Sequence, residues 1–191
     1  MILEKFDSNG NFNRLGPRRG AFRFIVNYLS KLEEQFCIVE TGTARARDNW
    51  EGDGQSTLIW DWFIKESGLK CDAFSVDISK ENCYASSSQV GNVNVVCSDS
   101  VIFLNKFTKK KEIKLLFLDS WDWTQEGNLS SAFHHLAELC TVFSSLPRGC
   151  LVAVDDCHGE NQGKHWLVED FFLKMGIMPS YNGYISVWKK L

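Results

Sequence analysis

The sequence CIVETGT, residues 37–43, joins a short β-prone apolar run to an acidic residue and a glycine. A buried run of this length that ends in turn-forming residues is typical of a strand. The residues before it recur at the spacing of an amphipathic helix, at Phe22, Ile25, Leu29, Leu32 and Phe36. The sequence therefore predicts a helix followed by a first strand with polar residues at its carboxyl end.

Further β-prone runs follow this first one, and amphipathic helical stretches separate them. The runs are AFSVD (73–77), VNVVC (93–97), IKLLFLD (113–119) and CLVAVDD (150–156). Strands that alternate with helices are typical of an α/β sheet with parallel strands. The chain then closes on two β-prone runs around Asn182-Gly183, which predicts a C-terminal antiparallel hairpin.

Length and composition favour one globular domain over residues 1–191. The 191 residues are 44% hydrophobic and carry a net charge of −3, which excludes a disordered chain and a polybasic nucleic-acid binder. The seven cysteines show no CxxC spacing, which excludes a zinc or disulfide framework. Because no signal peptide and no run of ~18 apolar residues is present, we expect a cytoplasmic protein without membrane association.

Acidic residues stand at or just after the ends of the predicted strands. They are Glu40, Asp77, Asp99, Asp119, Asp155 and Asp156. In open α/β sheets, ligands bind beyond the carboxyl ends of the strands. The sequence therefore predicts a ligand site at this edge of the sheet.

The run IVETGTARARDNWEGDGQSTL, residues 38–58, resembles the first motif of class I S-adenosylmethionine (SAM)-dependent methyltransferases. The resemblance implies that Glu40, Gly42 and Thr43 approach the methionine part of the cofactor. It assigns the rest of the loop to Gly52, Gly54, Gln55 and Ser56, with Ser56 also binding cofactor. The loop between Gly42 and Ser56 is longer than the family's usual tight turn, and a purely structural turn is the alternative interpretation.

The next strand ends match further positions of the same family. Asp77 stands where these methyltransferases bind the ribose hydroxyls, although a nicotinamide enzyme also uses an acid there. Asp99 and Ser100 resemble the pair that faces the adenine. Capping of the following helix is the alternative role for Asp99.

The segments LLFLDSWDW (115–123) and LVAVDD (151–156) resemble the catechol O-methyltransferase group, including macrocin O-methyltransferase and cephalosporin hydroxylase-like proteins. This resemblance implies that Asp119, Asp155 and Asp156 hold a magnesium ion, with Asp119 also beside the cofactor. Such an ion would orient a substrate hydroxyl and lower its pKa. A hydrogen-bonded acidic cluster without metal is the alternative.

The general base is not fixed by these motifs. Asp122 stands where the catechol enzyme has its lysine, and His158 follows the acidic pair closely enough to act as base or ligand. A loop histidine without such a role is the alternative for His158. The other histidines, His134, His135 and His165, are interpreted as structural or surface residues.

Aromatic and basic residues near the predicted site suggest acceptor contacts. Stacking on a sugar or aromatic ring is predicted for Trp50, Trp121, Trp123 and Trp166, and packing for Trp60, Trp62 and Trp188. Residues 1–20 form an N-terminal segment that either covers the active site or is solvated. If the segment covers the site, its arginines at positions 14, 18 and 19 contact an acidic substrate. If it does not, they face water.

The resemblance as a whole implies a Rossmann-like seven-stranded methyltransferase sheet with helices on both faces. The function it implies is SAM-dependent methyl transfer to a hydroxyl of a small molecule or sugar, assisted by Mg²⁺. A NAD-dependent oxidoreductase is one alternative, although no compact GxGxxG loop follows the first strand. A non-catalytic methyltransferase-fold binding protein is the other. We expect no nucleic-acid partner, and the sequence is compatible with a homo-oligomer.

Overall fold

A computed structural model of the chain describes residues 1–53, 55–159 and 161–191, and its centre is a six-stranded sheet. The strands among these residues are β1 (Phe36–Thr41), β2 (Cys71–Asp77), β3 (Val93–Cys97), β4 (Ile113–Leu118), β5 (Leu151–Val154), β6 (Cys157–His158), β7 (Gln162–Gly163) and β8 (Ser186–Lys189). Strands β6 and β7 pair only with each other, as a two-residue ribbon.

Helices connect the strands and cover both faces of the sheet. They are α1 (Ile2–Asp7), α2 (Arg19–Leu29), α3 (Ser56–Ser67), α4 (Lys80–Ser87), α5 (Ser100–Lys106), α6 (Asn128–Val142) and α7 (Trp166–Lys174). Short 3-10 turns lie at Phe12–Arg18, Lys110–Glu112 and Phe143–Ser145. Among the described residues, no helix is both long and apolar enough to span a membrane.

The strand order is β3-β2-β1-β4-β5-β8, with the first five strands parallel and β8 antiparallel to β5. The chain crosses from β1 to β2 in one direction and later places β4 on the other side of β1. Ligands bind at such a reversal, beyond the carboxyl ends of the strands. The predicted α/β sheet is confirmed, and the reversal lies where the strand-end acids cluster.

The C-terminal hairpin is shorter than the sequence predicts, and the sheet has six strands rather than seven. Before the Asn182-Gly183 turn, only Tyr181 forms a bridge, to Val187 of β8. Pro179 lies at the start of this run and has no N–H to donate to a ladder, which explains why no full strand forms there.

The two faces of the sheet bury separate clusters because side chains alternate along each strand. Phe36 and Ile38 of β1 pack with helices α1, α2 and α3, whereas Cys37 and Val39 pack with α5, α6 and α7. On the first face, the Phe22 ring lies 5.6 Å from the rings of both Phe117 and Trp60. This aromatic group fastens α2 and α3 to the centre of the sheet.

Replacing Phe22 by Ala tests this packing. Phe22 is fully buried, and we expect F22A to lower the free energy of unfolding by about 3–5 kcal/mol because it leaves a cavity between α2 and the sheet. Phe133 on α6 is 59% exposed, so F133A should change stability by less than about 0.5 kcal/mol. Urea unfolding of both variants measures the difference. Equal losses of unfolding free energy in F22A and F133A would contradict the assignment of Phe22 to the core.

Candidate functional site

Two adjoining cavities, of about 330 and 390 Å³, form one cleft over the carboxyl ends of the central strands. The residues that border both are Gly42, Asp77, Ile78, Ser120, Trp121 and Asp122. One cavity, here called the charged chamber, is also bordered by Arg18, Arg45, Asp119, Asp156, Lys164 and Tyr184. The other, here called the β3-side chamber, is also bordered by Ser98, Asp99, Ser100 and His134.

Gly42 lies where the two chambers meet, and its backbone conformation explains why this position is a glycine. Its φ is +84°, and its N–H donates to the Val76 carbonyl oxygen at 2.7 Å. A Cβ at this position would lie 2.5 Å from the carbonyl oxygen of Asp119. Only glycine therefore lets the ends of β1 and β4 approach this closely, which leaves the cleft floor open to a ligand.

Asp77 and Thr43 border the cleft, as the sequence predicts for cofactor contacts. The Asp77 carboxylate accepts from the backbone N–H of Ser79 at 2.7 Å and lies 3.3 Å from the Asn82 Nδ2. Thr43 donates to the Ser86 hydroxyl at 2.7 Å. The start of α4 thus orients Asp77 while leaving it at the border of both chambers.

Asp99 caps the following helix, which is the alternative role that the sequence leaves open for it, and it also lies at the cleft. Its carboxylate caps α5 by accepting from the Ile102 N–H at 2.9 Å, and it also borders the β3-side chamber. Ser100 borders the same chamber, and its hydroxyl lies 3.1 Å from the His134 Nε2.

Glu40 requires a correction, because its carboxylate lies beneath the cleft rather than at its border. It is fully buried and accepts from Thr57 Oγ1 at 2.6 Å, Ser75 Oγ at 2.6 Å and Trp60 Nε1 at 2.9 Å. Burial raises its pKa to about 7, although these donors oppose the rise. Glu40 therefore fixes α3 and β2 against β1 instead of reaching a ligand.

Ser56 requires the same correction. It is buried as the first residue of α3 and does not border either chamber, so the long loop after Gly42 does not bring it to the cleft. Gln55 before it has a left-handed backbone and donates to the Ala46 carbonyl oxygen at 2.8 Å. Gly54 lies outside the described residues.

The three acids at the ends of β4 and β5 converge, as predicted, but protein cations pair with them. Lys164 Nζ lies 2.6 Å from Asp119 Oδ1 and 3.0 Å from Asp156 Oδ2. Arg18 Nε lies 2.8 Å from Asp155 Oδ2, and its Nη2 lies 3.0 Å from Asp156 Oδ1. Neither Lys164 nor Arg18 was identified as a site residue of this cluster from the sequence.

The charges of this cluster are strongly coupled because it is buried. Burial opposes the charged form of Lys164, but Asp119 and Asp156 outweigh it and raise the pKa of Lys164, which keeps the ammonium charged. Burial and the nearby Asp119 raise the pKa of Asp155 to about 7, against the opposing charge of Arg18.

This donor set does not fit the magnesium ion that the resemblance implies. Mg²⁺ needs free carboxylate oxygens in an octahedral arrangement, whereas Asp119, Asp155 and Asp156 each already face a cationic side chain. Within the part of the chain that the structure describes, no group of three or more His, Cys, Asp or Glu side chains is placed to hold a metal ion. The alternative of a hydrogen-bonded acidic cluster describes the observed contacts.

The two candidate bases lie in different surroundings. Asp122 borders both chambers and accepts from Arg45 Nη1 at 2.7 Å. His158 does not border either chamber, and its ring lies 4.3 Å from the Trp123 ring and 5.4 Å from the Tyr184 ring. Asp122 therefore lies at the cleft, whereas His158 packs against Trp123 and Tyr184.

His134 was interpreted as structural, yet it borders the β3-side chamber. Its Nε2 lies 3.2 Å from Oε1 of Glu138, which is fully buried one turn later on α6. The hydrogen bond to Glu138 raises the pKa of His134, although burial opposes this. The sequence signal was present in the i, i+4 spacing, which places both side chains on one helix face.

The N-terminal arginines separate into one site residue and two structural ones. Arg18 is 6% exposed and stacks 4.5 Å from the Tyr184 ring centroid. Arg14 pairs with Asp48 at 2.6 Å, and Arg19 lies 3.3 Å from Asp7. Arg14 therefore fastens the N-terminal segment to the loop after β1, whereas the Arg19–Asp7 pair lies within that segment.

Of the tryptophans expected to stack on an acceptor, only Trp121 borders the cleft, and it is 58% exposed. Trp50 is 5% exposed and packs 5.7 Å from the Phe12 ring. Trp123 donates to Asn128 Oδ1 at 2.7 Å, and Trp166 borders a separate surface pocket. Packing is confirmed for Trp60 and Trp188, which are fully buried, and for Trp62, whose ring contacts Phe6 and Phe12.

Solved structures with the same fold are SAM-dependent methyltransferases. The Streptococcus mutans protein SMU.1697c, in complex with SAH, is 12% identical over 88% of this chain and 96% of its own, with a TM-score of 0.58. A SAM-dependent methyltransferase from Aquifex aeolicus is 16% identical over 100% and 97%, with a TM-score of 0.53. These similarities establish the fold.

Other structures with this fold act on different acceptors. The MycE methyltransferase of the mycinamycin pathway, in complex with Mg and SAH, is 14% identical, with a TM-score of 0.55. The match covers 87% of this chain and 48% of MycE. An rRNA methylase from Streptococcus thermophilus is 12% identical over 88% and 95%, with a TM-score of 0.51. No family model and no curated protein matches the chain.

The raised pKa of Glu40 predicts a pH dependence of stability. Between about pH 4.5 and about pH 7 the folded protein keeps a proton on Glu40 that the unfolded chain loses, so the free energy of unfolding falls as pH rises. The loss is on the order of 3 kcal/mol across this window. In E40Q the amide can donate to the Thr57 and Ser75 hydroxyls without titrating. Urea unfolding at several pH values should therefore show a flatter dependence of unfolding free energy on pH in E40Q than in wild type. An unchanged dependence would contradict titration of the buried Glu40.

Proposed function

We propose that this protein is a SAM-dependent methyltransferase that methylates a hydroxyl oxygen of a small molecule or sugar. The supporting observation is the cleft itself, which runs from Asp99 past Asp77 and Gly42 to the charged chamber. It lies at the strand-order reversal, where this fold class binds its ligands. The fold shared with solved methyltransferase structures supports the methyltransferase part of this proposal.

In this proposal the adenine occupies the β3-side chamber, beside Asp99, Ser100 and His134. The ribose hydroxyls donate to Asp77, whose carboxylate already borders both chambers. The methionine part passes over Gly42 and Thr43. This order places the sulfonium methyl at the entrance of the charged chamber.

The acceptor then occupies the charged chamber, where Trp121 offers an exposed ring for a sugar or aromatic group. The hydroxyl oxygen attacks the methyl carbon, the carbon–sulfur bond breaks, and its electron pair stays on sulfur to give S-adenosylhomocysteine. The hydroxyl proton moves to a carboxylate. We assign this role to Asp119, because it borders the charged chamber and burial raises its pKa.

Two other functions use the same cleft in different ways. A NAD-dependent oxidoreductase would also place a ribose on Asp77. A non-catalytic binding protein would bind SAM without turnover. An RNA acceptor is less favoured, because the cations that border the charged chamber, Arg18, Arg45 and Lys164, are already paired with aspartates and are not free to bind phosphates.

Calorimetry on Asp77→Ala tests the cofactor assignment. Loss of a carboxylate that accepts from two ribose hydroxyls should weaken SAM and SAH binding about 30-fold or more. Asp72 starts the same strand and pairs with the surface residue Lys109 at 2.8 Å, so D72A is the matched control and should bind normally. Equal binding by wild type and D77A would remove Asp77 from the site. Tight NAD binding with no SAM binding would favour the oxidoreductase.

Asp119→Asn and Asp122→Asn together test the proton acceptor. SAH release in the presence of a panel of hydroxylated acceptors measures turnover. We expect D119N to lower kcat about 100-fold or more with little change in SAM affinity, because it removes the base but keeps the side-chain shape. D122N should retain most of its turnover. The reverse ranking would assign the base to Asp122.

A further inference from the structure

Main-chain contacts around Gly163 position Lys164 at the charged chamber. It follows the β6–β7 ribbon, and its N–H donates to the Asp156 carbonyl oxygen at 3.2 Å. Gly163 before it has a φ of +93°, and a Cβ there would clash with that same carbonyl oxygen. The Gly163 N–H donates to Asn128 Oδ1 at 2.9 Å. The main chain thus fixes where the Lys164 side chain begins.

The ammonium group bridges carboxylates from two strands. Lys164 is 1% exposed, and its Nζ lies between Asp119 after β4 and Asp156 after β5. Arg18 pairs with Asp155 and Asp156 from the opposite side. Two cations therefore meet three carboxylates, one of which has a pKa raised to about 7. The buried charge is nearly balanced without any added ion.

We propose that Lys164 is a built-in cation that takes the place of a divalent metal between Asp119 and Asp156. Asp119 and Asp156 carry the carboxylate oxygens that a divalent metal prefers, but the Lys164 ammonium lies between them. Arg18 pairs with the third acid, Asp155. Lys164 makes the site independent of divalent cations. On the proposed function, it also supplies the fixed positive charge beside an acceptor oxygen that loses its proton.

Manganese binding tests this inference without any cofactor or acceptor. Electron paramagnetic resonance of Mn²⁺ with the purified protein measures bound ion in wild type, D119N, K164A and K164A/D119N. We expect no bound Mn²⁺ in wild type at about 1 mM, and at least about 10-fold tighter binding in K164A because it frees carboxylate oxygens. The double variant K164A/D119N should lose that binding. K109A removes another lysine paired with an aspartate, but at the surface, and should behave as wild type.

Two results would overturn the inference. If the wild type binds Mn²⁺ and D119N does not, a metal displaces the Lys164 ammonium from the carboxylates. A folded K164A that binds no more Mn²⁺ than wild type would show that the acids form no cation site at all. Neither result depends on SAM binding, so the proposed function can fail or succeed separately.

Thermal unfolding provides a second test if K164A does not fold. Lys164→Met keeps the side-chain length but removes the charge, and it should lower Tm by leaving the carboxylates uncompensated. Adding D119N removes one of those carboxylates, so K164M/D119N should recover part of the lost Tm. A double variant less stable than K164M would contradict charge compensation by Lys164.

Discussion

The pairing of buried carboxylates with buried cations is the constraint on which the cleft depends. Asp119, Asp155 and Asp156 come from two neighbouring strand ends, while Arg18 precedes α2 and Lys164 follows the β6–β7 ribbon. Removing one partner of a buried pair leaves an uncompensated charge, which costs about 3–5 kcal/mol. Distant parts of the chain therefore stabilise the fold by meeting at this point. The N-terminal segment is consequently part of the cleft wall.

A second layer of buried glutamates holds the strand ends in place beneath the cleft. Glu40 ties β1 to Trp60 on one face of the sheet, and Glu138 accepts from Thr41 and Ser120 on the other face. Successive residues of β1 are thus anchored on opposite faces. These anchors fix the residue that follows them, Gly42, at the floor of the cleft. Its close approach to the residue after β4 requires such a fixed position.

The sequence predicts the five parallel strands well because each is a short β-prone run with an acid at or just after its end. It also places Gly42, Asp77 and Asp99 at the cleft, since these residues lie within one position or two of a strand end. It does not show that the Glu40 carboxylate lies beneath the cleft, because a strand-end position does not tell whether a side chain enters the packed core or the open edge. It misses Lys164, which reaches the site through a two-residue ribbon that leaves no periodic signal.

The charge balance of the chamber also bears on the acceptor. SAM carries a sulfonium, so a loaded cleft would add one positive charge beside Lys164 and Arg18, near the carboxylates that these cations already compensate. A neutral hydroxyl acceptor would leave this balance intact until its proton is transferred, and the transfer would be local, from the acceptor to a carboxylate. A phosphate-bearing acceptor would instead need free cations, whereas Arg18, Arg45 and Lys164 at the chamber border are already paired with aspartates. The proposed preference for a neutral acceptor thus follows from the same buried ion pairs that hold the strand ends together.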